Sequence, residues 1–349
     1  MLPVSVYMRA AKNFMCGQVV SLFSLLALVM AKRLVYRDVN TPVLLNACFY
    51  IFLSVTAVLC NYFAPSISSL PLPLASTRKA IPWWVYPLLA IVDLQANVCS
   101  ATALQYTTFA TAALALNLAV PFVFLLSVCA FRASYKWQHS LGCLVTLAGG
   151  GVLLVACCNR ETALASNDTY GWSLAVLAAM LYAGSTVLNQ WCTQQQGLEG
   201  VLACLARVGA WGSLFCMAES LLVEREQIAA VVWDTQIFLL VFGYVLCMFA
   251  FYAAVFVLVE ATESMLYNVS LLSSSVYLML LSRYALDETP DLTTCAASLT
   301  TLLGLAMYTL TREPVGGEGT STGGLPQISF KSMHTPRELV PNKLQMAQV

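Results

Sequence analysis

Ten stretches of about 20 largely apolar residues follow one another along this chain, separated by short polar or proline-rich joins. About 20 such residues cross roughly 30 Å of hydrocarbon as a helix, so each stretch predicts a membrane span. The spans run over residues 13–31, 43–64, 83–106, 109–131, 139–158, 171–191, 198–223, 236–259, 264–283 and 292–311. The first follows Arg9 and Lys12, as in a secretory signal, but no small-residue cleavage pattern follows it, so a retained helix is expected. The longest join, Pro65 to Pro82, has 18 residues and is too short to host a catalytic domain. From Arg312 the chain turns to Gly, Pro, Ser and Thr without apolar periodicity, which predicts a disordered tail over 312–349.

Composition agrees with this solvent. Of 349 residues 59% are hydrophobic and 10% are charged, far below the roughly 25% charge of a soluble domain. Seventeen basic and seventeen acidic side chains cancel, leaving no field to attract nucleic acid. No cofactor site and no enzyme constellation is expected. The cysteines are dispersed in apolar spans without a CxxC pair, and two histidines cannot build a metal site.

An even number of spans puts both termini on one side. Ten Lys and Arg lie on the termini and even-numbered joins against six on the opposite face, so the termini are expected in the cytosol. The sequon Asn167-Asp168-Thr169 then falls on the other face, where Asn167 could carry a glycan. Two tight joins, Thr107-Thr108 and Glu260 to Glu263, occupy corresponding places in two sets of five spans. Asn117 precedes Arg132 by 15 residues and Asn268 precedes Arg283 by the same interval. Five spans per half make the second half insert upside down, as in alternating-access transporters. The expected organisation is therefore an N-terminus 1–12, a first repeat 13–158, a second repeat 159–311 and a cytosolic tail.

Polar side chains deep in a span are the candidates for chemistry. Asp93, Asn97 and Ser100 share one helical face in mid-span, and two readings stay open: a carboxylate that anchors packing, or a solute-contacting group. Asn117 stands four residues before Pro121, whose missing N–H would free the Asn117 carbonyl. Asn268 and Ser275 are nearly aligned seven residues apart. Arg207 and Glu219 lie about 18 Å apart along one helix and cannot pair; Glu219 is expected to reach the interface. Gly142, Gly149, Gly150 and Gly151 predict close helix packing.

The string Trp83-Trp84, Asp93-Leu94-Gln95-Ala96-Asn97, Gln105-Tyr106-Thr107-Thr108 and Pro121 resembles the signature region of solute carrier family 35, subfamily F, in the drug/metabolite transporter superfamily. Gly17-Gln18-Val19, Val39-Asn40-Thr41-Pro42, Leu181-Tyr182-Ala183 with Ser185, and Leu246-Cys247-Met248-Phe249 with Tyr252 extend the resemblance. It implies an all-α membrane protein of ten helices in two inverted five-helix repeats, moving a small polar organic solute of the nucleotide-sugar or nucleobase-like class. The solute-contacting candidates are Asp93, Gln95, Asn97, Asn117, Tyr182, Ser185, Tyr252, Asn268 and Ser275.

Gln95, Leu116, Asn189-Gln190 and Ser275 stand where the family pattern has acids, and every change removes negative charge. That weighs against a cationic solute and against proton coupling, since an amide or hydroxyl can only hydrogen-bond. The alternative is a multi-pass receptor or scaffold acting through its tail. Expected partners are a small organic solute and the lipid bilayer, with a homodimer left open. Golgi, endosomal and plasma membranes all remain open as the resident compartment.

Overall fold

The computed structural model describes residues 4–63, 81–131, 135–159, 165–261 and 264–309. Among them the chain is all helical: α1 (Val4–Val35), α2 (Pro42–Phe63), α3 (Val85–Tyr106), α4 (Phe109–Leu116), α5 (Ala119–Phe131), α6 (Trp137–Asn159), α7 (Ala165–Val223), α8 (Arg225–Ala230), α9 (Thr235–Ala261), α10 (Ser264–Ala285) and α11 (Leu292–Thr309). Seven apolar windows of 18 residues or more, from Gln18–Val35 to Thr235–Val255, are long enough to cross a membrane, and the apolar α11 is shorter. This is a multi-pass helical membrane protein. The side chain of Asn268 and the tail from Arg312 lie outside the described residues.

The expected span 109–131 is interrupted. Asn117 and Leu118 form a turn between α4 and α5, where the Asn117 N–H bonds the Leu114 carbonyl at 3.1 Å. The Val120 N–H reaches the Asn117 carbonyl at 3.3 Å, so the carbonyl expected to be freed by Pro121 is satisfied. The chain tightens to three-residue hydrogen bonding there, which closes the gap that proline leaves.

Two expected spans fall within α7, whose helical hydrogen bonding is continuous over 59 residues. It cannot be straight. Asp93 accepts from the Ser185 hydroxyl at 2.8 Å, and Gln95, two residues on, donates to Glu219 at 2.9 Å. A straight helix would hold Ser185 and Glu219 roughly 50 Å apart. Along α3, the pairs Asp93–Ser185, Ser100–Tyr182 and Thr107–Asp168 run antiparallel to the first limb. Tyr86–Arg207 and Gln95–Glu219 run parallel to the second. The chain therefore reverses between the limbs, and the Cys192 and Cys204 thiols meet across the reversal.

The α3–α4 turn marks one end of the bundle, the Thr107 end. Lys32 at the end of α1 donates to the Leu104 and Thr107 carbonyls, both at 2.8 Å, satisfying orphan acceptors at the α3 C-terminus. Its Nζ stands 3.8 Å from Glu288 in the α10–α11 loop. Glu288 caps α4 by accepting from the Phe109 N–H at 2.9 Å and also takes the Tyr36 hydroxyl at 2.6 Å. Glu224, after α7, accepts from the Val43 and Leu44 N–H groups at 2.8 Å and so caps α2. Burial raises the Glu224 carboxyl above its ordinary value, and these two N–H groups draw it partly back. Arg37 reaches Asp234 and Gln236 at the start of α9.

Away from this end, α6 and α11 pack through small residues. A Cβ on Gly142 would lie 2.6 Å from the Tyr308 amide nitrogen, and Gly149 and Gly304 meet Thr301 and Thr146 as closely. Gly142 and Gly149 let two backbones touch, as their spacing predicted, whereas Gly150 meets the Leu118 side chain and Gly151 faces open space, so close packing does not extend to it.

Candidate functional site

Four helices converge on Asp93. It lies in mid-α3, 4% exposed, and its neighbours on that helical face are Asn97 and Ser100, also buried. From α2 the Tyr50 hydroxyl donates to Asp93 Oδ2 at 2.7 Å. From α9 the Tyr252 hydroxyl donates to the same oxygen at 2.6 Å. Ser185, on the first limb of α7, donates to Oδ1 at 2.8 Å. The carboxylate is thus held by three neutral hydroxyls.

Asn97 forms the second tier. Its Nδ2 donates to the Tyr50 hydroxyl at 2.9 Å and to the Asp93 carbonyl at 3.0 Å, and its Oδ1 accepts from Tyr182 at 2.7 Å. Ser100 contacts the Tyr182 hydroxyl at 3.3 Å. Phe49 packs its ring 5.0 Å from those of both Tyr50 and Tyr252, closing the cluster on its apolar side. Burial in low dielectric strengthens each of these bonds and makes any vacated acceptor costly.

Of the sequence candidates, Asp93, Asn97, Tyr182, Ser185 and Tyr252 come together here. Gln95 does not; two residues along a helix turns its side chain away, toward Glu219 on the second limb. Glu219, expected to snorkel to the interface, is instead half-buried against that amide. Asn117 is half-buried at the α4–α5 turn. Ser275 is buried in α10 with its hydroxyl unbonded. Asn167 is exposed in the first turn of α7, with Thr169 beside Cys158 of α6.

Tyr50 is the site residue that sequence reasoning missed. It sits in an apolar helix where the polar residues on its face are Asn46 one turn earlier and Ser54 one turn later, neither of them ionisable. That asparagine accepts from Tyr244 of α9 at 2.8 Å, a second polar tie between the same two helices. A cavity of about 410 Å³ opens elsewhere, near the Thr107 end, between Leu34, Pro42, Leu45, Ala101, Trp233 and Phe238. Its lining is almost wholly apolar and does not include Asp93.

Comparison with known proteins adds relatives to this geometry. Residues 7–310 match the F branch of the family described as Solute carrier family 35. The chain is 30% identical over 270 residues to solute carrier family 35 member F2 of Mus musculus, covering 76% of this chain and 70% of the relative. It is 28% identical over 232 residues to the protein of that name in Xenopus tropicalis, covering 65% and 59%. An uncharacterised solute carrier family 35 member of Schizosaccharomyces pombe is 27% identical over 196 residues, covering 56% of this chain and 38% of its own length. A crystal structure titled only as that of a protein superposes with a TM-score of 0.53 at 20% identity, covering 86% of this chain and 98% of that one. That likeness is one of fold.

Proposed function

Because the chain belongs to solute carrier family 35, in its F branch, we propose that it carries a small polar organic solute across a membrane by alternating access. The observation that carries this reading is a mid-bundle carboxylate whose three partners are all hydroxyls, drawn from α2, α7 and α9. An exchange of those hydroxyls for the N–H or O–H donors of a solute leaves no charge stranded. Net hydrogen-bond energies are about 1 kcal/mol each, so the exchange is nearly balanced and reversible, as a carrier requires.

The topology that serves this is ten crossings in two inverted halves, 13–158 and 159–311, with cytosolic termini. Supporting it, the joins after α1, α3 and α7 and the loop before α11 all meet at the Thr107 end, as odd-numbered joins should. Solute-contacting roles fall to Asp93, Asn97, Tyr182, Ser185 and Tyr252, with Tyr50 added. Asn117, Asn268 and Ser275 belong to the same pathway through α4 and α10. The solute class that suits a ring of Asn, Ser and Tyr around one acid is nucleobase-like or a nucleotide sugar.

Purified protein in sealed vesicles, offered labelled nucleotide sugars, nucleobases and organic cations, tests this. Saturable uptake of one of the first two classes is expected, and deletion of 312–349 should leave it intact. Protein-dependent flux of none of the three would overturn the reading.

A further inference from the structure

Arg207 takes no part in the site described above. It stands on the second limb of α7, whose inner face, with Cys204, Val208, Gly209 and Gly212, packs against α2 and α3. Arg207 is exposed, in one stripe with Trp211, Leu214 and Leu221. A stripe of exposed apolar side chains on a membrane helix faces hydrocarbon, so the guanidinium emerges on the outer wall of the bundle.

Its position there is fixed. Nη1 donates to the Tyr86 hydroxyl at 2.7 Å, and Cζ lies 4.7 Å from the Tyr86 ring centroid. Tyr86 is itself 3% exposed in the first turn of α3. Just before it, Trp83 and Trp84 are 75% and 54% exposed. Exposed tryptophans at a helix start mark the depth of the lipid headgroups. Stacked on one tyrosine and bonded to it through one of its five N–H groups, the exposed Arg207 stands beside the first turn of α3, close along the chain to those tryptophans.

We propose that Arg207, oriented by Tyr86, binds the phosphate of an anionic phospholipid in the leaflet at the Trp83 end of the bundle. A guanidinium matches phosphate with two parallel hydrogen bonds, and stacking pre-organises it for them. The lipid is the occupant because the apolar stripe beneath the cation seats acyl chains, which a free phosphate lacks. Tyr86 is a positioning residue and does not touch the lipid.

Native mass spectrometry of the full chain, exchanged from detergent into phosphatidylglycerol or phosphatidylcholine, tests the assignment. The wild type should retain a phosphatidylglycerol adduct about tenfold more than R207Q, the effect of losing one charge-assisted contact. R207K keeps the charge without the fork and should fall between them. Y86F leaves the charge and should lower retention about threefold, which keeps the test available if R207Q fails to fold. Equal retention by wild type and all three variants would overturn the proposal. So would displacement of the adduct by millimolar inorganic phosphate, which would mark an open anion site.

Discussion

Two carboxylates, one buried and one half-buried, hold this protein together in opposite ways. Asp93, in mid-bundle, is held by three hydroxyls, and no cation is among its described partners. Glu288, at the Thr107 end, faces the Lys32 ammonium and caps α4, while Lys32 spends its protons on the carbonyls that end α3. The ion pair is loose at 3.8 Å; the short bonds run to helix termini. Neutral partners can be traded for a solute's donors at little cost. A charge locked onto two helix ends cannot be released without stranding its counter-charge. In the proposed carrier the centre is the part suited to exchange and the Thr107 end the part suited to closure.

Breaking the closure should have the largest effect. Glu288→Ala takes from the buried Lys32 its nearer counter-charge, leaving Asp168, and frees the Phe109 N–H while the Thr108 cap of α4 stays, a loss of about 3 kcal/mol by the usual cost of opening a buried pair. Chemical denaturation or thermal melting in detergent would read it, and a loss under about 1 kcal/mol would show the pair to be dispensable. Next comes Tyr50→Phe. It removes a donor to the carboxylate and an acceptor for Asn97 within a fully buried ring, for about 2 kcal/mol. Tyr252→Phe, only half-buried, should cost about half of that. Equal costs would mean that the two tyrosines are not distinguished by burial.

Glu224 sharpens the comparison through pH. Its carboxyl is raised by burial despite the two α2 amides, so the folded state binds its proton more tightly than the unfolded chain. The stabilisation from that tighter proton is full below the ordinary value near 4.5 and is lost as pH rises through the raised one. Melting temperature measured against Glu224→Gln should therefore decline over that interval; a rising difference would reverse the assignment. The smallest effect belongs to Asp234→Asn. Its pair with Arg37 is about half exposed on both sides, so the change should stay below about 0.5 kcal/mol.

Much of this was legible before any coordinates. Asp93, Asn97 and Ser100 recur at helical spacing in an otherwise apolar span, and a buried acid demands donors, so a cluster around them was predictable. Tyr182, Ser185 and Tyr252 followed from the family pattern. Tyr50 did not, since a tyrosine in an apolar helix packs as readily as it bonds. Asn117 misled because proline's missing N–H counts only if the next donor keeps helical register, and Val120 did not. The Lys32–Glu288 closure joins residues at helix ends 256 positions apart, which no periodicity links. A break between spans is expected at the polar stretch Cys192 to Gly197, and the structure shows a reversal somewhere between Ser185 and Arg207. The glutamines of that stretch are good helix formers, so helical bonding continues where a loop was expected.

The measurement that bears most directly on the central claim is initial uptake by Asp93→Asn beside the wild type, in sealed vesicles, for whichever panel solute the wild type carries. Asparagine keeps the size but turns an acceptor oxygen into a donor facing Tyr50, Tyr252 and Ser185. Flux should fall at least tenfold, measured well below the melting temperature of both proteins so that lost stability does not account for it. Undiminished flux with an unchanged pH profile would show that the solute is held elsewhere.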